Sequence, residues 1–143
     1  MADISRKAKA IKEWAQSWTS SPSVKLNAVN VEDGEMSVLI DATDNVITQY
    51  IDGTAEREYV FALVCVLPWS VGTDDINLQS MDFAGSWFDW VEEQNSKRAF
   101  PDFGKAAQIN AVRCVENTPL PALVYSDEGV AKYQFFAKVF YTE

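Results

Sequence analysis

Residues 57–67 have the sequence REYVFALVCVL, which is continuously apolar after its charged start. With the period of two that a strand has, one face presents Tyr59, Phe61, Leu63, Cys65 and Leu67, and the other presents Val60, Ala62, Val64 and Val66. β-branched and aromatic residues dominate the segment, and these residue types favour strands. Because both faces are apolar, the strand must be covered on both sides. The pattern therefore predicts a strand in the interior of a sheet, with both of its faces buried.

A buried helix is the alternative for this segment, because a continuous apolar run has no diagnostic period. The flanking residues favour the strand. Asp52-Gly53 is a typical hairpin turn sequence, and Pro68 is tolerated at the end of a strand but not inside one.

Two other segments have the apolar spacing of amphipathic helices. In residues 3–18 the apolar positions are Ile4, Ala8, Ile11, Trp14, Ala15 and Trp18, and the opposite side is assigned to Arg6, Lys7, Lys9, Lys12 and Glu13. In residues 75–94 the stripe consists of Leu78, Met81, Ala84, Trp87 or Phe88, and Val91, flanked by Phe83 and Trp90. We expect the second helix to pack on strand 57–67 and to leave some aromatic rings for a subunit contact.

Further strands are predicted at residues 24–31, 34–41, 45–51, 108–116 and 130–141. The sequence Glu32-Asp33-Gly34 predicts that a hairpin joins the first two of them. Asp52-Gly53-Thr54 predicts a second hairpin, from strand 45–51 into the central strand. The last strand is expected to pair within the same sheet.

The length of 143 residues predicts one domain, spanning residues 1–143. No apolar run reaches the length of a membrane span and no leader precedes the first helix, so we expect a soluble protein made in the cytosol.

The charge is unevenly distributed. Residues 1–25 contain five basic and two acidic side chains, whereas residues 26–95 contain one basic and fourteen acidic side chains, within a total of −9. An overall field of this sign does not attract a nucleic-acid backbone. Two interpretations stay open: the basic start and the acidic middle meet between subunits, or the acidic residues solvate the surface.

The residue types exclude several kinds of chemistry. The sequence contains no histidine, so Ser-His-Asp and Cys-His catalysis are excluded, and its six glycines form no phosphate-binding loop. Cys65 and Cys114 lie in apolar strand patterns, which predicts buried free thiols rather than a disulfide or a four-ligand zinc site. Asp41, Asp44 and Asp52 lack the spacing of a calcium loop. We expect no catalytic residue, no cofactor and no bound metal.

An ordered set of segments resembles a known family. Tyr50-Ile51-Asp52-Gly53 leads into strand 57–67, the second helix contains WFDWVEEQN at residues 87–95, and Phe100-Pro101 lies in the loop after it. The closing segment begins GVAKYQ at residue 129 and ends in Phe140-Tyr141. From about residue 45 onward the chain is similar to the small tail-terminator, or tail-completion, proteins of long-tailed bacteriophages, which belong to the minor capsid and minor tail proteins.

This resemblance implies an α+β fold, in which an N-terminal helix and a long central helix pack on a mostly antiparallel, twisted sheet. It implies a structural virion protein at the head-proximal end of the tail, made in the host cytoplasm. Such proteins form a ring, commonly a hexamer, that caps the tail tube, ends its elongation and provides the surface to which the head joins. The implied partners are other copies of the chain, the major tail tube protein and a head-completion protein. DNA would pass through the channel without specific binding, and no membrane would be involved.

For a ring of this kind, the candidate subunit interface comprises Lys9 and Lys12 on the first helix and Trp87 and Trp90 on the second. The alternative function is that of a small-ligand-binding or enzymatic α+β domain, with an aromatic pocket between helix and sheet. Trp87, Trp90, Tyr133 and Phe135 would line that pocket.

Overall fold

The computed structural model describes residues 4–18, 24–27, 36–72, 74–115, 121–125 and 127–143. These ranges contain two helices, α1 (Ile4–Gln16) and α2 (Asp74–Lys97). They also contain six strands: β1 (Val24–Leu26), β2 (Met36–Gln49), β3 (Ala55–Pro68), β4 (Gln108–Cys114), β5 (Leu123–Tyr125) and β6 (Val130–Thr142).

The strands form one open sheet in the order β1-β2-β3-β6-β4, and β5 pairs with β6 beside this path. Every pairing is antiparallel except that of β1 with β2, which is parallel. The fold is therefore α+β, with a mostly antiparallel sheet and two helices, as predicted.

Strand β3 lies at the centre of the sheet, between β2 and β6. Its residues from Tyr59 to Val66 are all buried, and Phe61 is 0% exposed. The prediction of an interior strand with two buried faces is confirmed, and the strand extends further at both ends than its apolar run. A tight turn precedes it, in which Gly53 has a φ of 93° and the Tyr50 amide donates to the Thr54 carbonyl at 2.9 Å. The predicted hairpin at residues 52–54 is therefore confirmed.

Both helices pack on the same face of β3. Trp14 of α1 contacts Phe61 edge-on, with ring centroids 6.4 Å apart, and the Tyr59 hydroxyl donates to the Ile4 carbonyl at 2.9 Å. From α2, Phe88 contacts Phe135, which is paired in register with Leu63 on that face. The packing of the second helix on the central strand is thereby confirmed.

On the opposite face of β3, the described residues provide no helix. There the small side chains of the strand lie opposite long side chains of β6, in the pairs Val60–Lys138, Ala62–Phe136, Val64–Gln134 and Val66–Lys132. Directly opposed side chains are close enough to cover one another. Flanking side chains of the same sheet therefore contribute to the burial of this face.

Strand β2 differs from the prediction. Its 14 residues include most of predicted strand 34–41 and most of predicted strand 45–51. Pairing with β3 shifts register at three places between Ile40 and Thr48, and Asp44 has a positive φ of 51°. Each bulge interrupts the alternation of apolar and polar residues, so one irregular strand has the sequence pattern of two.

The predicted hairpin between residues 24–31 and 34–41 is wrong, because Val24–Leu26 pairs with β2 in parallel and not antiparallel. Its turn residues 32–34 lie outside the described residues. The parallel pair is short and is extended by Asn27, whose amide donates to the Val38 carbonyl at 2.8 Å. The Asn27 side chain in turn accepts from the Ile40 amide at 2.9 Å.

Candidate functional site

The four residues predicted for a subunit interface lie in different environments. Lys9 is exposed on α1 and lies 3.9 Å from Glu13, one helical turn further on. Lys12 and Trp90 are partly buried. Trp87 is completely buried, so it cannot contact another subunit in this conformation and its assignment to an interface is corrected. The stripe spacing had left either Trp87 or Phe88 facing the sheet, and in the structure both are buried.

Trp87 belongs to an aromatic cluster that joins the two helices. Its ring stacks on Trp90 at 5.5 Å, and it meets Trp14 of α1 edge-on at 6.1 Å and Trp18, just after that helix, edge-on at 5.1 Å. Phe83 contacts Trp18 at 5.2 Å. Aromatic pairs with these geometries each contribute roughly 0.5–1.5 kcal/mol beyond their burial. The aromatic rings of α2 thus hold α1 in place. Trp90 is only partly buried in this cluster, so part of its ring stays exposed.

The aromatic pocket of the alternative function is filled. Trp87, Tyr133 and Phe135 are each at most 2% exposed, and Phe88 lies edge-on to Phe135 at 5.5 Å. Tyr133 also contacts Phe135, with ring centroids 6.0 Å apart. Rings without accessible surface cannot line an open pocket, so these residues are core in this conformation.

A buried polar cluster, which sequence reasoning missed, lies beneath the first half of α1. Lys7 was assigned to the solvent side of the helix, but it is 1% exposed. Its Nζ lies 2.7 Å from Asp44 Oδ1 and 2.9 Å from Glu143 Oε1, and 4.6 Å from the centroid of the Tyr141 ring. A buried ammonium group requires such partners, because an unpaired charge in the interior is very costly.

The pKa values of the two tyrosines and of Asp44 in this region shift in opposite directions. The Tyr141 hydroxyl donates to Asp44 Oδ1, and burial together with this carboxylate raises the pKa of Tyr141. Burial and the Asp44 charge also raise the pKa of Tyr59 to about 12. Burial opposes ionisation of Asp44, but hydrogen bonds from Lys7 and Tyr141 and the charge of Lys7 outweigh it and lower the pKa of Asp44.

The arrangement fastens α1 to the sheet. The Lys7 ammonium is paired with two carboxylates, and the Arg57 guanidinium donates to the Asp44 carbonyl at 3.2 Å. The cluster is therefore interpreted as structural.

An open groove of about 480 Å³ lies on the outer side of α1, against the loop that follows α2. It is lined by Arg6, Lys9, Ala10, Glu13, Trp14, Phe100, Pro101, Asp102 and Gly104. Two hydrogen bonds fix its walls: Trp14 Nε1 donates to the Ala99 carbonyl at 2.8 Å, and Arg6 Nη2 donates to the Phe103 carbonyl at 3.1 Å. Gly104 has a φ of 93°, and a Cβ there would lie 2.9 Å from the Arg6 guanidinium.

The end of the β2–β3 hairpin carries an exposed apolar group. Within six residues, Val46, Ile47, Tyr50 and Ile51 are all exposed, and Ile51 is fully so. Single exposed apolar residues are normal, but a concentration of them marks an interaction surface. Sequence patterning placed all four residues in predicted strand 45–51, without showing that the described fold leaves them uncovered.

The two cysteines are free. Cys65 is buried and Cys114 is partly buried, and burial raises the pKa of each thiol to about 12. Among the residues that the structure describes, no group of three or more cysteine or carboxylate side chains is placed to hold a metal ion. Asp44 is engaged with Lys7 and Asp52 with Thr54, so the three candidate carboxylates do not converge.

No family model matches this chain, and no curated protein is significantly similar to it in sequence. Within the described ranges, neither helix combines the length and the apolar character that a membrane crossing requires.

Proposed function

We propose that this protein is a structural virion component, a tail terminator that caps the phage tail tube as a ring. The ring ends tail elongation and presents the surface to which the head joins. The proposal rests on the resemblance of the segments from residue 45 onward, and it extends to the partners implied by that resemblance: other copies of the chain, the tail tube protein and a head-completion protein. The protein would be made in the host cytoplasm and incorporated at the head-proximal end of the tail.

The observation that carries the proposal is the exposed apolar end of the β2–β3 hairpin. A protein that acts alone gains nothing from presenting Val46, Ile47, Tyr50 and Ile51 to water, whereas an assembling protein buries such residues in a contact. In contrast, the aromatic residues that an internal ligand pocket would need are packed in the core. These two facts together favour assembly over ligand binding.

The charge of the chain suits a channel that passes DNA. Most of the acidic residues lie between residues 26 and 95, and Asp41, Asp52, Asp82 and Asp89 are exposed among them. A negative lining repels the phosphate backbone and keeps DNA from adhering. Of the four residues predicted for the subunit interface, Lys9, Lys12 and Trp90 remain candidates, whereas the buried Trp87 does not.

The test is deletion of the gene from a phage that encodes this chain, followed by electron microscopy of the particles. We expect tails of irregular and excessive length that are not joined to heads, and rescue by the wild-type protein supplied in trans. Tails of normal length attached to heads in the deletion strain would contradict the proposal. A gene position between the head-completion and major-tail genes would support it, whereas a position in a metabolic operon would favour the ligand-binding alternative.

A further inference from the structure

Strand β4 is the last strand on one side of the sheet, because it pairs with β6 and the described residues provide no strand beyond it. The amide of Val115, directly after β4, donates to the Phe136 carbonyl at 2.9 Å and therefore points towards β6. Backbone groups along an antiparallel pair point alternately towards and away from the partner strand. Val112, three residues earlier, therefore directs both its amide and its carbonyl away from β6, to the outer edge of the sheet.

The side chain of Asn95, near the end of α2, occupies both of these edge groups. The Val112 amide donates to Asn95 Oδ1 at 2.8 Å, and Asn95 Nδ2 donates to the Val112 carbonyl. Nδ2 also donates to the Val91 carbonyl of its own helix at 3.1 Å, which fixes the orientation of the side chain. A carboxamide has the donor and the acceptor of a peptide group. Asn95 thus makes the two hydrogen bonds that one residue of a further strand would make.

A second residue from the end of α2 bonds to the same edge. The Arg98 guanidinium donates to the Ile109 carbonyl at 3.3 Å and lies 5.3 Å from the centroid of the Phe100 ring. The pairing of β4 with β6 is irregular between Ile109 and Ala111, so the regular part of this edge is residues 111–114. Open strand edges pair with other strands, and proteins protect them by covering the edge or by bulges. The part of β4 that could add a strand is therefore short, and it contains Val112.

We propose that the outer edge of β4 is a strand-pairing surface that Asn95 keeps closed, and that without Asn95 it pairs with β4 of a second copy, antiparallel and centred on Val112. The edge is self-complementary in this register, because the Val112 amide of each copy faces the Val112 carbonyl of the other. The register places Arg113 opposite Ala111 of the other copy, so the one charged residue of this stretch meets no like charge.

This contact joins identical surfaces and closes as a dimer, whereas a ring needs contacts between different surfaces. The inference therefore does not depend on the proposed ring. Asn95 limits the surfaces through which the chain can associate, and it excludes an edge that would otherwise compete with them.

Amide hydrogen exchange at Val112 tests the closure. In dilute samples, exchange should be about tenfold or more faster in Asn95→Ala than in the wild-type protein, because the variant lacks the acceptor for this amide. As the concentration of the variant rises, exchange at Val112 should slow again, because a second copy supplies the acceptor. A reductant in every sample keeps Cys114 from forming disulfide-linked dimers. Equally fast exchange in the two proteins, or exchange in the variant that does not depend on concentration, would overturn the inference.

Two controls separate an opened edge from a general loss of stability. Asn95→Asp also lacks the donor for the Val112 carbonyl, but its negative charge at the edge opposes pairing with a second copy. Ser80→Ala removes a hydroxyl of the same helix that donates to the Pro68 carbonyl at 2.7 Å, on the interior strand β3. In analytical ultracentrifugation, Asn95→Ala alone should form more dimer than the wild-type protein. Equal association of the three variants would identify destabilisation as the cause and would contradict the proposed pairing.

Asn95→Ser gives a second variant if Asn95→Ala does not fold. Serine keeps a polar side chain at this position but lacks the amide group that bonds to both edge groups of Val112. Exchange at Val112 should again be about tenfold faster than in the wild-type protein and should slow with concentration. Exchange at the wild-type rate would show that Asn95 does not close the edge.

Discussion

Lys7 shows how a single side chain can be misassigned when its helix is predicted correctly. It follows Ile4 by three residues and precedes Ile11 by four, so it lies on the apolar stripe of α1. Because its side chain is positively charged, Lys7 was nevertheless assigned to the solvent-facing side of the helix. The carboxylates that neutralise it are 37 and 136 residues away in sequence, at Asp44 and Glu143, and no local pattern connects them. The position in the stripe was the available signal, but the partners required the structure.

Replacement of Lys7 by methionine should destabilise the protein by about 3 kcal/mol, because removal of one member of a buried ion pair leaves its partners without compensation. This loss of stability is at the lower end of the range for buried ion pairs, because the side chains of Asp44 and Glu143 are still 22% and 28% exposed. Lys9→Met is the matched control on the same helix, and its exposed pair with Glu13 contributes less than about 1 kcal/mol. Urea unfolding of both variants measures the difference. Equal losses would contradict the structural role of Lys7.

The buried phenol of Tyr59 predicts a loss of stability in alkali. Its pKa is raised to about 12 in the folded state, so the folded protein keeps this proton after the unfolded chain releases it near pH 10. The stabilisation is therefore fully present below about pH 10 and is lost as the pH rises towards 12. Free energies of unfolding measured from pH 8 to 12 should fall less steeply for Tyr59→Phe than for the wild type. If the free energy of unfolding falls equally steeply for the two proteins, the raised pKa of Tyr59 is contradicted.

At the scale of the elements, the regular strands were predictable and the irregular one was not. Strand β3 is continuously apolar from Tyr59 to Leu67, and β6 alternates along much of its length, so their existence and type followed from the sequence. Strand β2 contains three register shifts and a residue with positive φ, and its sequence pattern was interpreted as two strands. The parallel pairing of β1 depends on a connection that passes through residues 28–35, outside the described residues.

Phe61 is the side chain whose removal tests the central position of β3. Phe61→Ala should cost about 3–5 kcal/mol, since the ring is 0% exposed and contacts Trp14 of α1. Phe136→Ala is the control: it removes the same ring from the neighbouring strand β6, where the side chain is 40% exposed. Its cost should be less than half as large. Chemical denaturation compares the two variants, and similar costs would show that the ring of Phe61 is not packed as described.

For the whole molecule, the sequence predicted the helices that carry the candidate interface but not which of their side chains remain at the surface. An amphipathic stripe identifies a buried face, yet two helices that pack on each other bury flanking rings as well. Trp87 was one of two alternatives for the stripe itself, and it is buried together with Phe88 through its contacts with Trp14 and Trp18, so the interface cannot use it. The exposed hairpin end had no sequence signal, because Val46, Ile47 and Ile51 are also what a buried strand contains.

If α1 lies in the subunit contact, charge reversal on it should weaken assembly. Lys9→Glu/Lys12→Glu should slow association at low salt and have a smaller effect at high salt, because surface charges mainly steer encounter and salt screens them. Trp90→Ala should weaken assembly more strongly and without salt dependence, since a partly exposed ring supplies affinity by burial. Light scattering at two ionic strengths measures both. An unchanged rate and extent of association for the lysine pair at both ionic strengths would place α1 outside the contact.

The proposed capping of tail tubes is tested most directly by electron microscopy of phage tail tubes before and after addition of this protein. If the proposal holds, we expect a ring of several 16.0 kDa chains at one end of each tube, and no further elongation of capped tubes when tube protein is supplied. Tubes that keep growing with bare ends, beside a protein that remains monomeric, would contradict it.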